Sequence, residues 1–177
     1  MALTACLLAA ATCAPSSTWR LYEPKGSGIK FAMPGTVYED SKPDPSGSGR
    51  TVHRFHATAD GVEYTVLYAD LAKQSVPAVK TLWAKDRNGD TVRQILENTL
   101  KGSPEEAGTI GVTRFGNMKG FPTLAQIVSH DDGTGSNLMA AFTPMGVVAA
   151  TARSPKTPEA TQDAFRFIDS IDLSARR

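Results

Sequence analysis

The stretch from Thr51 to Asp70 constrains this chain more than any other, because two strand-forming runs meet at Asp60-Gly61 with nothing else between them. An Asp-Gly pair adopts the positive φ angles of a two-residue hairpin turn with little strain. Val62, Tyr64, Val66 and Tyr68 share one face of a period-two strand, and on the other face Glu63 and Thr65 give way to Leu67 and Ala69. β-branched and aromatic residues fit a pleated surface, and apolar residues on both faces predict an interior strand covered from each side. A sheet therefore begins here, with Thr51 to Ala59 as the partner strand.

A chain of 177 residues can bury roughly 70% of the surface it exposes when unfolded, so it needs no covalent staple. Hydrophobic residues at 41% and charged residues at 21% exclude wholesale disorder and a polytopic membrane protein. Nineteen basic against eighteen acidic side chains leave a net charge of +1. No global field draws nucleic acid, and none is expected as a partner. Both cysteines, Cys6 and Cys13, precede residue 14, so the folded body has neither a disulfide nor a thiolate metal site.

Ala2 to Ala14 is apolar and small-residue-rich, and it breaks at Pro15-Ser16-Ser17. It is shorter than the roughly twenty residues of a spanning helix but matches a signal-peptide core, although the basic flank of such a signal is missing, leaving open a start further upstream. Residues 1–18 are expected to be a signal-like or lipoprotein-type segment with a tether. Ala9-Ala10-Ala11 suits ordinary cleavage, while Leu3-Thr4-Ala5-Cys6 and Ala10-Ala11-Thr12-Cys13 resemble a lipoprotein box with Cys6 or Cys13 as the lipidated residue and membrane tether. The expected location is the periplasm or cell envelope. The alternative is a cytoplasmic protein with an N-terminal helix.

Beyond residue 18 the elements follow from turn chemistry and periodicity. Trp19 to Tyr22 and Ile29 to Met33 read as strands around a turn at Pro24 and Gly26-Ser27-Gly28, the second stopping at Pro34-Gly35. Lys42 to Gly49 reads as a mobile surface loop. Leu71 to Leu100 is helical in two pieces: Val76, Val79, Leu82 and Trp83 mark the first. Asp90 is the expected N-cap of the second, with Val92, Ile95, Leu96, Thr99 and Leu100 on one face and Gly102 as its stop. Ile110 to Asn117 is a strand, Lys119 to Pro122 a corner, and Thr123 to His130, Asn137 to Thr143 and Val147 to Ser154 form an antiparallel meander. Pro158 to Ser170 closes the chain as a helix with Thr157 as N-cap, turning Ala164, Phe165, Ile168 and Ile171 toward the sheet. The fold class is α+β: helices pack on both faces of a central, mostly antiparallel sheet of about six to seven strands. Residues 19–173 form one domain and 174–177 a C-terminal tail.

Three pieces carry a resemblance. Phe31-Ala32-Met33-Pro34-Gly35, Gly120-Phe121-Pro122 and Phe167-Ile168-Asp169-Ser170-Ile171 occur in the order seen in the PsbP-like superfamily, over roughly Ile29 to Leu173. The resemblance implies an α/β/α sandwich and a binding or assembly module without shared catalytic residues. An exported member would serve a protein partner or an apolar ligand. A cytoplasmic adaptor similar to the superfamily's Ran-release factor is the alternative.

Catalytic and metal constellations are weak by spacing. His53 and His56 lie three apart in a strand, so they point to opposite faces, one partly buried and one exposed. His130 stands beside Asp131 and Asp132, the one place where a metal-dependent hydrolase is conceivable, yet Asp-Gly follows as turn chemistry. Asp86, Asn88, Asp90 and Glu97 occupy positions of a calcium loop, but Gly89 falls two places early for the sharp turn. No nucleophile elbow or phosphate loop occurs. Neither enzymatic activity nor a cofactor is expected. The candidate ligand or partner contacts are Lys119, Phe121 and Met145, at loops where the sheet is least covered, with core packing as the competing use of Phe121 and Met145.

Overall fold

Asp60 and Gly61 take φ of 51° and 76°, the left-handed pair that an Asp-Gly hairpin turn requires. The computed structural model describes residues 18–43, 50–69, 75–101 and 107–176. Among these the chain forms, in order, β1 (Trp19–Tyr22), β2 (Phe31–Pro34), β3 (Tyr38–Pro43), β4 (Thr51–Ala59), β5 (Val62–Ala69), α1 (Val76–Lys85) and α2 (Asp90–Leu100). Then come β6 (Thr109–Met118), β7 (Phe121–Ser129), β8 (Thr134–Thr143), β9 (Gly146–Pro155) and α3 (Pro158–Ser170), with a short 3-10 turn over Ser174–Arg176.

Seven of the described strands make one antiparallel sheet in the order β3-β4-β5-β9-β8-β7-β6, and β1 and β2 pair as a separate ribbon. As its pattern predicts, β5 is interior, between β4 and β9. The side-chain period of two sorts the sheet into two cores. Tyr64, Val66, Phe55, Met139, Ala141 and Ala150 face α3 and the β1–β2 ribbon, where Phe31, Met33 and Phe167 meet them. Leu124, Val128, Leu138, Ala140 and Phe142 face the other way, against Val92, Leu96 and Leu100 of α2. Burying each such aliphatic side chain is worth about 1.5–3 kcal/mol, and the two cores make this the α+β sandwich that the pattern implies. Tyr64 stacks edge-on against Trp19 (5.7 Å) and Phe167 (5.2 Å). Burial, and then the charges of Asp163 and Asp60, push its phenol above its ordinary range.

The closing helix starts as expected. Thr157 Oγ1 accepts the Ala160 N–H at 3.3 Å and Pro158 occupies the first turn. Its inward face is corrected: Ala160, Ala164 and Phe167 are buried and Ile168 is half-buried, whereas Phe165 is 47% exposed. Other corrections are local. The strand β3 is a finding beyond the sequence reading, and it takes Lys42 and Pro43 out of the expected loop; residues 44–49 lie outside the described residues. Tyr-Glu-Asp-Ser-Lys-Pro has little strand propensity, and its place is set by pairing, with Tyr38 opposite His56 and Pro43 opposite Thr51. The N-cap of α2 is Gly89, with Asp90 in the first turn, and Thr99 is exposed. The expected stop at Gly102, the helical stretch from Leu71 to Gln74, and the N-terminal segment with Cys6 and Cys13 lie outside the described residues.

A ligand cleft on the helix side of the sheet

Of the three candidate contact residues, two are structural. Lys119 and Gly120 form the β6–β7 turn at φ of 54° and 92°, and Phe121 and Pro122 already belong to β7. The Lys119 Nζ donates to the carbonyl oxygens of Asp169 (3.2 Å) and Ile171 (2.9 Å), neutralising the negative end of α3. Nearby, the Asp172 carboxylate accepts the Ser174 N–H at 2.9 Å. That bond first, and then the Lys119 and Lys30 charges, hold its pKa below the ordinary range. Phe121 is only 1% exposed and packs on Trp83 at 5.6 Å between ring centroids, so it is a core residue and not a loop contact. Met145 keeps an exposed side chain, while its N–H donates to Thr143 Oγ1 at 3.2 Å and its carbonyl accepts from Arg176 Nη2 at 2.7 Å.

The titratable clusters are likewise engaged in holding the fold. His130 is buried, with Nδ1 2.7 Å from the Ala107 carbonyl and Nε2 2.7 Å from Ser136 Oγ. Both ring nitrogens therefore tie the approach of β6 to β8. Asp131 is exposed beside it. Asp132 accepts from Thr134 Oγ1 (2.7 Å), from the Thr134 N–H (3.0 Å) and from Arg153 (2.6 Å), and these bonds, Thr134's first, lower its pKa to about 2. Glu97 pairs with Arg93 along α2 at 3.2 Å, and Asp86 closes α1, its carbonyl accepting the Gly89 N–H at 3.0 Å. The calcium-loop positions are not gathered around one point. His53 stacks on Tyr68 at 4.7 Å and His56 on Tyr38 at 5.6 Å. Both are half-buried, which corrects the expectation of one exposed. Among the described residues no group of three or more His, Cys, Asp or Glu is placed to hold a metal ion.

What the sheet does leave open is a cleft on its helix side. The buried stripe of α2, Val92, Leu96 and Leu100, packs mainly on β7 and β8 and meets β9 only at its near side, where Val147 joins the same core. The β4, β5 and β9 half of the same face is flanked by α1, among whose residues none is fully buried. Between them lies a cleft of about 560 Å³. Its floor is two cross-strand pairs, Leu67 opposite Ala149 and Phe142 opposite Val147. Val79 of α1 and Ile95 of α2 form the helix wall, and Arg50, Ser75, Asn98 and Thr99 supply the polar groups. None of Lys119, Phe121 and Met145 lines it. Its signal was present: Leu67 and Ala69 make the second face of β5 apolar, and Ile95 sits on an apolar helix face yet stays half-buried.

No protein-family model and no curated protein sequence matches the chain. Its fold superposes on the solution structure of cyanobacterial PsbP from Synechocystis sp. with a TM-score of 0.54 at 11% identity, covering 96% of this chain and 98% of that one. The architecture is therefore a PsbP-like α+β fold, and at this identity the likeness concerns the fold alone. A Pseudomonas aeruginosa protein of unknown function aligns over 84% of this chain and 94% of its own at 14% identity, with a TM-score of 0.36, too distant a superposition to bear on the fold.

Proposed function

We propose that this chain is a binding module and not a catalyst, and that the helix-side cleft takes an apolar ligand of small-molecule size. The observation that carries the proposal is the cleft itself. About 560 Å³ floored by Leu67, Ala149, Phe142 and Val147 falls within the roughly 300–1,000 Å³ of ordinary ligand sites, which are mostly apolar with a few polar groups. Each methylene buried there contributes about 0.8 kcal/mol, so a medium-length acyl chain reaches micromolar affinity after the cost of immobilising it. The engagement of His130, Asp132 and Glu97 in structural bonds supports a non-catalytic role. A PsbP-like fold is compatible with it.

Titration with dansyl-undecanoic acid, read by fluorescence, tests this reading. The native chain binds it with micromolar affinity, and Ile95→Trp, which fills the cleft from the helix wall, weakens binding about tenfold or more. Equal binding by the variant, or none by the native chain, contradicts the proposal. The apolar segment before residue 18, with Cys6 or Cys13 as lipid acceptor, would hold such a module at the cell envelope. Cell fractionation with mass spectrometry of the mature N-terminus checks that part, and a cytoplasmic protein retaining Met1 contradicts it.

A further inference from the structure

The two edges of the seven-stranded sheet are built differently. On one side β3 is six residues long, carries Glu39, Asp40 and Lys42, and ends in Pro43, with Asp40 and Lys42 paired at 2.9 Å. Short length, charge and proline are the devices that stop an edge from pairing with another chain. On the other side β6 is ten residues long, carries the single charge of Arg114, and is exposed along most of its length. Its one blunting feature is a bulge between Ile110 and Val112.

The apolar surface beside this edge points the same way. Val112 and Ile127 are 49% and 42% exposed and lie directly opposite each other in the β6–β7 register, whereas Ile110, before the bulge, pairs with Val128 and belongs to the other face. On this face α3 packs chiefly on β9, β5 and β8, so the Val112–Ile127 row runs outward to an open edge. The charge is one-sided. From Ala107 to His130 the chain has no carboxylate, and Arg114, two residues along the same face from Val112, is exposed and makes no ion pair among the described residues.

We infer that β6 is a strand-addition edge that takes an extended segment of another protein, with apolar residues at alternate positions beside Val112 and a carboxylate opposite Arg114. The main-chain N–H and C=O groups of the edge supply the ladder, and the side-chain row supplies the selectivity. A second copy of β6 satisfies the ladder but brings another Arg114 and no carboxylate, so the complementary occupant is an acidic, strand-forming segment. This site is separate from the ligand cleft, since β7 stands between β6 and β8, the nearest strand that lines the cleft.

The probes are two fluorescein-labelled nine-residue peptides with valine at alternate positions and threonine between, one with a central glutamate and one with a central lysine, titrated into the full chain by anisotropy. The glutamate peptide binds about fivefold tighter, Arg114→Glu inverts that order, and Val112→Lys abolishes binding of both. Hydrogen exchange of the β6 amides slows when the glutamate peptide is bound. Both substituted side chains are exposed, and unchanged melting of the variants establishes that they fold. Equal binding of the two peptides, an order indifferent to Arg114→Glu, no binding at about 1 mM peptide, or β6 amides that exchange as before overturns the inference. So does sedimentation showing a dimer that Val112→Lys dissociates, because the edge then belongs to a second copy.

Discussion

The Arg176 Nη1 donates to the carbonyl oxygen of Ser27 at 2.6 Å, a bond that closes 149 residues of chain. The same guanidinium donates through Nε to Thr143 Oγ1 at 3.2 Å and through Nη2 to the Met145 carbonyl at 2.7 Å, and it lies over the Tyr68 ring at 5.6 Å. The residues expected to be a tail therefore bring a buried arginine to the junction of the Ser27 loop and the β8–β9 turn. Gly28 makes room for it: at φ of 66° a Cβ there would meet the Ala175 carbonyl oxygen at 3.1 Å and Arg176 Cγ at 3.0 Å.

Replacing Arg176 by alanine removes its bonds to the Ser27 and Met145 carbonyls, whereas Thr143 Oγ1 keeps the Met145 N–H and the Gly146 carbonyl as partners. Hydrogen bonds to a charged group contribute about 1.5–3 kcal/mol each before coupling, so Arg176→Ala lowers stability by about 2–4 kcal/mol in urea unfolding. Arg176→Lys recovers only part of this, because one ammonium cannot reproduce the planar fork.

Phe121 and Met145, side by side as candidate contacts in the sequence, separate cleanly by mutation. Phe121→Ala opens a cavity against Trp83 and costs about 3–5 kcal/mol. Met145→Ala, with its main-chain bonds intact, stays within about 0.5 kcal/mol of the native chain. Thermal or urea melts of the pair decide the matter.

Loss of the His130 ring leaves the Ala107 carbonyl and the Ser136 hydroxyl without partners. His130→Ala is expected to destabilise by about 1–3 kcal/mol and to speed amide exchange at the start of β6, where Thr109 follows closely on Ala107. An unchanged exchange rate there contradicts the structural role assigned to this histidine.

Asp132 gives the acid limb a definite sign. Its pKa falls from an ordinary 3.8 to about 2 in the folded chain, so its stabilising contribution is present above the unfolded value and is lost as pH falls through the folded one. Asp132→Asn therefore lowers the urea midpoint near neutrality, and its difference from the native chain shrinks toward about pH 2. A difference that persists unchanged to that pH contradicts the carboxylate's role.

Local signals made the β4–β5 hairpin, the late meander and the Thr157 cap readable, because each depends on neighbours in sequence: an Asp-Gly turn, alternation, a threonine before a proline. The parts that escaped depend on partners far along the chain. Strand β3 carries no strand signal of its own, and its last two residues, Lys42 and Pro43, read as loop until β4 pairs with it. Arg176 reads as a solvated terminus until Ser27 and Met145 converge on it. The choice between Phe165 and Phe167 is a matter of helix phase, two residues being about 200° apart, and it is settled by Tyr64 meeting Phe167. The cleft is hardest of all, since Leu67 and Ala149 become neighbours only through the β5–β9 register. What defines it is helix cover that thins beyond β8.

The most direct measurement is an amide chemical-shift map of the full chain titrated with decanoic acid. Binding in the cleft shifts the signals of Leu67, Val79, Ile95, Val147 and Ala149 together along one saturable curve, with β6 unmoved. Shifts scattered over the exposed apolar residues Leu21, Ile110 and Phe165, or no saturation at all, contradict a built ligand site on the helix side of this sheet.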